Sequence, residues 1–251
     1  MLIFKIDEMS LHIEPNADAL MHAVTNWMVD LIANTLKQQD RFTLALSGGN
    51  TPKSLHLLLA SEAYRHKIDW SKLHFFFGDE RFVPFNDERN NAKMAFDTLL
   101  NHVPVQPEQI HIMQTEHITP EASAAAYEKI LHQYFNEQPF SFDLVLLGMG
   151  DDGHTLSLFP GTAVIDETKK WATHLWLEAQ QMYRITLTAP IVNQSAQVAF
   201  ITTGANKATA LKAVLEGPVN VHQYPSQIIR PKGSLHWFTD SAAAALLTHT
   251  A

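Results

Sequence analysis

Apolar residues recur along this chain in two spacings, and the two spacings alternate. Residues 17–37 place Leu20, Val24 and Ile32 on one face at helical spacing, which predicts a helix. Short, nearly continuous apolar runs at 42–46, 73–77, 142–147 and 198–203 are typical of strands buried on both faces. Further helices are predicted over 51–59, 120–134 and 208–215, and further strands over 183–188 and 234–238.

Strands that alternate with helices indicate βαβ units and a parallel sheet. We therefore predict one α/β domain over residues 1–251, with a doubly wound, mostly parallel sheet, helices on both faces and a modified Rossmann-like arrangement. A small irregular lobe is expected around residues 155–182, and the first 40 or so residues are expected to contribute only a helix.

Glycines mark the ends of the predicted strands. Of the ten glycines in the chain, seven lie where a strand passes into a loop: Gly48, Gly49, Gly78, Gly148, Gly150, Gly153 and Gly204. In open α/β sheets, ligands bind outside the carboxyl ends of the strands. The glycine-marked loops therefore predict one shared cleft, which is the candidate active site.

The segment Ser47-Gly48-Gly49-Asn50-Thr51-Pro52 lies between a predicted strand and a predicted helix. Paired glycines let the backbone approach an anion, Ser47 and Thr51 offer hydroxyl donors, and a helix N-terminus adds partial positive charge. The segment is neither a Walker loop nor a G-x-G-x-x-G fingerprint. It fits a phosphate cradle, and it equally fits an ordinary tight turn with a Ser/Thr cap.

Two cations are candidates for the same anion. Lys207 follows Gly204 at the start of a helix, and Arg184 lies at the head of the strand predicted over 183–188. The fixed fork of an arginine suits a phosphate or a carboxylate. Both residues also fit solvated surface positions, because most lysines and arginines are exposed.

Two charged clusters follow predicted strands. Gly78-Asp79-Glu80-Arg81 comes directly after three phenylalanines, and Asp151-Asp152-Gly153-His154 follows the run over 142–147. A histidine beside carboxylates on a glycine-rich turn is suited to general acid–base chemistry. No complementary ligand spacing such as H-E-x-x-H appears, so we expect no metal.

Composition narrows the function. The formal charge of -8 argues against a nucleic-acid partner, which needs a basic face, but a few local cations can still hold one phosphate. The chain has no cysteine, which excludes disulfides, thiolate nucleophiles and thiolate metal sites. The N-terminus lacks the pattern of a signal peptide and no run is long enough to span a membrane, so the cytoplasm is the expected compartment.

Six segments, in order, resemble the 6-phosphogluconolactonase family within the glucosamine-6-phosphate isomerase/lactonase superfamily. They are LALSGGNTPKSL, FFFGDERFVPFNDERNN, FDLVLLGMGDDGHTLSLFPG, RITLTAPIVN, TGANKATALKAVLEG and YPSQIIRPKGSLHWFTD, and they cover about residues 40 to 240. The resemblance implies hydrolysis of 6-phospho-D-glucono-1,5-lactone to 6-phosphogluconate, the second step of the oxidative pentose phosphate pathway, without a cofactor.

The resemblance also implies roles for particular residues. It assigns His154 as the acid–base group and Lys207 as a phosphate ligand, while Arg81 contacts either the phosphate or the oxyanion. Asp152 or Asp79 is expected to orient the imidazole, and the sequence leaves that choice open. Leu156 stands where the family usually has a small residue, a departure expected to alter packing only.

Two rival functions share these features. One is a glucosamine-6-phosphate isomerase/deaminase on the same fold, and the other is a sugar-phosphate sensor without turnover. The isomerases pair the motif histidine with a glutamate five residues later, whereas this chain has Phe159 there. A sensor needs no acid–base set. We expect a monomer or a homodimer that binds a small sugar phosphate and contacts neither nucleic acid nor membrane.

Overall fold

The computed structural model describes residues 2–6 and 9–248. In this part of the chain there are ten strands, namely β1 (Leu2–Ile6), β2 (Met9–Glu14), β3 (Phe42–Leu46), β4 (Leu73–Phe77), β5 (Asp79–Arg81), β6 (Leu144–Leu147), β7 (Ala172–Leu177), β8 (Met182–Leu187), β9 (Gln197–Thr202) and β10 (Ser234–Asp240). The helices are α1 (Ala17–Thr35), α2 (Asn50–Ala60), α3 (Asn91–Thr98), α4 (Pro120–Phe135), α5 (Ala189–Val192) and α6 (Ala208–Glu216), with short 3-10 turns between them.

Seven of the described strands form one sheet in the order β1-β2-β10-β9-β6-β3-β4. Every neighbouring pair is parallel except β1 with β2, which is antiparallel. The mostly parallel, doubly wound sheet predicted from the sequence is therefore confirmed. The prediction that the first 40 or so residues contribute only a helix is wrong, because β1 and β2 extend the sheet at one edge.

Helices cover both faces of this sheet, as predicted. Phe76 of β4 packs with α4 residues on one face, in a cluster that also holds Trp237 and Leu211. Its neighbours Phe75 and Phe77 pack on the other face with residues of α1, α2 and α3. Successive strand side chains point to opposite faces, so a strand covered on both sides needs apolar residues at every position.

A smaller antiparallel sheet has the strand order β5-β8-β7. The strand predicted over 183–188 is β8, and it pairs with the charged β5 through Asp79↔Thr186 and Arg81↔Arg184. The irregular lobe predicted around residues 155–182 is corrected in part, because β7 is a regular strand in that range. The small sheet matters for function because it carries Asp79, Arg81 and Arg184 to the main sheet's carboxyl edge.

Candidate active site

The chain changes direction across the sheet between β3 and β6. From β3 the chain proceeds to β4 on one side, and it later returns to β6, β9 and β10 on the other. Ligands of doubly wound sheets bind at such a switch point. A cavity of about 260 Å³ lies there, lined by Ser47, Gly48, Asp79, Arg81, Gly148, Met149, Gly150, His154, Leu156, Phe159, Gln180, Arg184 and Lys207. Of the ten candidate site residues, Gly49, Thr51 and Asp152 do not line it.

His154 and Asp152 form a hydrogen-bonded pair in the loop after β6. The imidazole Nδ1 lies 2.6 Å from Asp152 Oδ1, which also accepts the backbone N–H of His154 at 3.0 Å. Burial opposes ionisation of Asp152, but these hydrogen bonds outweigh it and lower the pKa of the carboxyl group. With Nδ1 on an ionised carboxylate, Nε2 is the ring nitrogen left for proton transfer.

Gly150 makes this pairing possible. A Cβ atom at Gly150 would lie 2.1 Å from His154 Nδ1 and 2.4 Å from Asp152 Oδ1, which is far inside van der Waals contact. The backbone N–H of Gly150 also donates to the His154 carbonyl at 2.8 Å and closes the turn. The absence of a side chain at Gly150 therefore lets the turn close around the His154–Asp152 pair.

Asp79 lies with Arg184 and not with the imidazole. Its Oδ2 accepts the hydroxyl of Ser157 at 2.7 Å and lies 3.4 Å from Arg184 Nη1. Its Oδ1 lies 3.3 Å from Asn91 Nδ2. Burial lowers the pKa of Arg184, and the charge of Asp79 partly offsets that shift. Of the two carboxylates that the sequence leaves as partners for His154, Asp152 is the one in contact.

Arg81 reaches the cavity from β5. One guanidinium N–H donates to the Arg89 carbonyl at 2.8 Å. Its Nε is buried and has no hydrogen-bond partner within the described residues, and the same holds for Nε of Arg184. A buried donor without a partner is costly, so two such donors beside one cavity favour an acceptor-rich ligand.

Glu80, between the two cavity residues of β5, has a structural role. It is fully buried, and its carboxylate accepts backbone N–H groups of Arg81, Asn91 and Ala92 at 2.7–2.8 Å. Burial raises the pKa of Glu80 to about 7, although the three hydrogen bonds act in the opposite direction. These bonds join β5 to the first turn of α3 and thereby hold the backbone on either side of Arg81.

The glycine-rich segment after β3 offers a ligand its backbone N–H groups rather than its side-chain hydroxyl groups. The Ser47 hydroxyl donates to the Leu146 carbonyl at 2.6 Å, and the Thr51 hydroxyl lies 3.1 Å from that of Thr203. Both hydroxyls therefore have protein partners. Gly49 has a φ of 108°, which favours glycine, and it precedes the first residue of α2. The backbone N–H groups at this helix start are the groups left to face an anion.

Lys207 lies at the end of a 3-10 turn, Ala205–Lys207, directly before α6, and lines the cavity. Gly204 opens this turn with a φ of 93°, and its N–H lies 3.1 Å from both oxygens of Asp240. The turn after β9 is thereby tied to the end of β10. It brings a third cation to the cavity that Arg81 and Arg184 also line.

Besides Gly148 and Gly150, which the sequence marks as loop glycines, four cavity residues are absent from the ten sequence-based candidates: Met149, Leu156, Phe159 and Gln180. Leu156 has a φ of 54°, a left-handed conformation that costs energy for a leucine. Its side chain packs against Gly78, where an added Cβ would lie only 2.6 Å from Leu156 Cδ2. Gln180 accepts a hydrogen bond from Arg184. Only Phe159 carried a usable signal, namely its place five residues after His154.

A larger open cavity, of about 650 Å³, lies at the opposite edge of the sheet, lined by residues such as Arg41, Phe140 and Asp143. It contains no histidine, and Asp143 is engaged by Thr43 at 2.7–2.8 Å. We therefore place the candidate site in the smaller cavity. Over the described ranges, no three His, Asp or Glu side chains are grouped to hold a metal ion, and none of the helices is long and apolar enough to span a membrane.

Comparison with known proteins identifies the family. The sequence model described as "Glucosamine-6-phosphate isomerases/6-phosphogluconolactonase" matches residues 15–237, which is most of the chain. The chain belongs to this family. The resemblance carried by the six sequence segments is thereby confirmed.

Two members of the isomerase/lactonase family illustrate the similarity. A 6-phosphogluconolactonase from Nostoc sp. is 39% identical over 242 residues, which cover 95% of this chain and 98% of the relative. The structure of a 6-phosphogluconolactonase from Trypanosoma cruzi superposes with a TM-score of 0.84 at 26% identity, covering 99% of this chain and 100% of that chain. Both relatives therefore match this chain over nearly its full length.

The fold by itself does not separate the two activities in the family name. A monomeric glucosamine-6-phosphate deaminase superposes with a TM-score of 0.80 at 19% identity, covering 94% of this chain and 99% of that chain. Similarity at that level shows the fold alone. The choice between lactone hydrolysis and aminosugar deamination therefore depends on the side chains in the cavity.

Proposed function

We propose that this chain hydrolyses 6-phospho-D-glucono-1,5-lactone to 6-phospho-D-gluconate, the second step of the oxidative pentose phosphate pathway. One observation carries the proposal: a single cavity holds an Asp-supported imidazole together with three cationic side chains. The imidazole suits proton transfer to and from water, and the cations suit a phosphorylated substrate. The names of the family members with high identity to this chain support the same reaction.

The charges in the cavity favour a phosphate. Arg81, Arg184 and Lys207 line it, and Asp79 is the carboxylate among the lining residues. Asp79 neutralises about one of the three positive charges through its contact with Arg184. The remaining positive charge matches a sugar phosphate, which carries between one and two negative charges near neutral pH. In a chain of net charge -8, this concentration of cations is a local feature of the site.

His154 then acts as the acid–base group. Its Nε2 takes a proton from a water molecule, whose oxygen attacks C1 of the lactone and forms a tetrahedral oxyanion. Arg81 stabilises this anion, or binds the phosphate and leaves the oxyanion to the backbone. When the bond between C1 and the ring oxygen breaks, the imidazolium returns its proton to that oxygen. Asp152 holds the ring in the required tautomer, as a carboxylate does in serine hydrolases.

The proposal is tested by a coupled assay on freshly generated 6-phosphogluconolactone, corrected for spontaneous hydrolysis. We expect turnover by the purified protein without added metal or cofactor. The unphosphorylated gluconolactone is expected to be a poor substrate, because it lacks the group that the three cations bind. Equal turnover of the two lactones would contradict a phosphate site in this cavity.

Lys207→Met removes one of these cations. A charge-assisted contact contributes about 1.5–3 kcal/mol, so we expect KM for the phosphorylated lactone to rise roughly 10- to 100-fold. The value of kcat is expected to hold, since the phosphate lies away from the reacting carbon and is bound equally in ground and transition states. The matched control is Lys129→Met, on the exposed side of α4. An unchanged KM in Lys207→Met would remove this residue from the phosphate site.

A second prediction separates hydrolysis from deamination. Opening an aminosugar ring and moving a proton between C2 and C1 needs more acid–base groups than adding water to a lactone. At the position five residues after His154, the Phe159 ring can neither accept an N–H as a carboxylate does nor relay a proton. We expect no ammonia and no fructose-6-phosphate from glucosamine-6-phosphate. Robust deaminase activity of the pure protein would overturn the assignment and leave the fold intact.

Two expectations accompany this function. We keep the cytoplasm as the expected compartment of this reaction. We also keep a monomer or a homodimer as the expected state. Light scattering coupled to size-exclusion chromatography decides between them, since one chain has a mass of 28.2 kDa.

A further inference from the structure

Phe159 contacts two functional side chains at once. Its ring stacks on the imidazole of His154, with the ring centroids 4.2 Å apart and an interplanar angle of 28°. The guanidinium carbon of Arg184 lies 5.8 Å from the centroid of the same phenyl ring. Phe159 is half-buried and lines the cavity. A single apolar side chain therefore joins the acid–base group to one of the cations.

The backbone holds this ring in place. The carbonyl of Phe159 accepts the Thr162 hydroxyl at 2.7 Å and the Thr162 N–H at 3.2 Å. On the other side, the Leu158 N–H donates to the Thr155 carbonyl at 2.9 Å, and the Leu158 side chain is fully buried. The Thr155 hydroxyl donates to the Gly148 carbonyl at 2.8 Å. The segment that carries Phe159 is thus fastened to the loop that carries His154.

The hydrogen bond to Asp152 does not by itself fix the plane of the imidazole. It restrains Nδ1 and with it the χ2 torsion, but only within the range of positions that a hydrogen bond tolerates, and the energy wells of this torsion are broad. A flat aromatic face packed against the ring opposes this rotation. The direction of Nε2 therefore depends on two contacts, one at the edge of the imidazole and one on its face.

We propose that Phe159 is a positioning residue for the reaction: its ring fixes the plane of His154 and sets the imidazole relative to Arg184. This inference rests on the proposed function, because it concerns the alignment of Nε2 with a substrate anchored by its phosphate. A misplacement of about 1 Å at a reacting group can cost about 10²-fold in rate. Phe159 itself exchanges no proton with the substrate.

The test compares Phe159→Leu with Phe159→Tyr. Leucine keeps an apolar side chain but removes the flat face, whereas tyrosine keeps the ring. We expect Phe159→Leu to lower kcat about 10- to 100-fold with a change in KM below about 3-fold, because orientation is lost while the cations remain. Phe159→Tyr is expected to retain most of kcat. Phe140→Leu, outside this cavity, is the matched control and is expected to match the wild type.

A spectroscopic measurement checks orientation without substrate. Stacking on a phenyl ring shifts the imidazole carbon-bound protons of His154 upfield, so Phe159→Leu should move these resonances downfield while Phe159→Tyr retains the shift. This readout decides whether the two rings stack, and the orientation of His154 is read from the nuclear Overhauser contacts of its ring protons with Gly150, which should change in Phe159→Leu and persist in Phe159→Tyr. Both measurements stand even if the wild type fails to hydrolyse the lactone, a result that would overturn the proposed function alone. A wild-type kcat in Phe159→Leu, or unchanged His154 resonances, would overturn the role of Phe159.

Discussion

Replacing His154 with alanine is expected to lower kcat by about 10²–10⁴-fold, the range over which positioned acid–base groups act. The change in KM is expected to be modest, because the three cations that bind the phosphate are untouched. Steady-state kinetics on freshly generated lactone gives both constants. His66→Ala is the matched control, since that side chain is 71% exposed and lies outside the cavity. A His154→Ala enzyme with most of its activity would eliminate the proposed mechanism.

The same mechanism fixes the sign of the pH dependence. The rate should fall as pH is lowered, because a protonated imidazole cannot accept a proton from water. Asp152 does not control this acid limb, since the hydrogen bonds from His154 outweigh burial and lower the pKa of the carboxyl group, which stays ionised to lower pH than an ordinary aspartate. Asp152→Asn should therefore reduce kcat through the tautomer and orientation of His154. An acid limb that persists unchanged in a residually active His154→Ala enzyme would assign the titration to another group.

Much of the fold could be predicted from the sequence, because most strands and helices are marked by patterns of neighbouring residues. Strands β3, β4, β6 and β9 are each a short apolar run, and each is followed by a glycine-marked loop. Helix α1, predicted over 17–37 and found at Ala17–Thr35, follows from apolar spacing alone. Strand β5 could not be found in this way, because Asp79–Arg81 is three charged residues that become a strand by pairing with β8. Tertiary contacts of this kind override intrinsic preference.

For the site, too, contacts between residues close in sequence could be predicted and contacts between distant residues could not. The contact between His154 and Asp152 spans two residues in one turn, so the sequence pattern already placed them together. The contact between Asp79 and Arg184 spans 105 residues and depends on the small antiparallel sheet. The sequence therefore could not decide which carboxylate faces the imidazole. It also could not show that Phe159 stacks on His154, because that contact depends on how the intervening loop is folded.

The last prediction concerns Gly150, where one added methyl group should disable the site without removing any functional atom. A Cβ at this position would lie 2.1 Å from His154 Nδ1 and 2.4 Å from Asp152 Oδ1, so Gly150→Ala must displace the pair. We expect kcat to fall about 10²-fold, as for a misplaced catalytic group. Binding of phosphate should be retained, because Arg184 and Lys207 lie on other segments.

The matched variant is Gly148→Ala, since a Cβ there has no atom within 4 Å. Gly148 lines the same cavity, so Gly148→Ala is the reference for two properties. Thermal unfolding measures the stability of each variant, and the ¹⁵N signals of the His154 ring report its hydrogen bond with Asp152. In Gly148→Ala the Nδ1–H signal of a hydrogen bond to Asp152 should persist. In Gly150→Ala it should be lost or strongly shifted at a similar melting temperature. Gly150→Ala with a lost pair signal and full kcat would show that the His154–Asp152 geometry does not limit the reaction, and an intact pair signal would contradict the displacement itself.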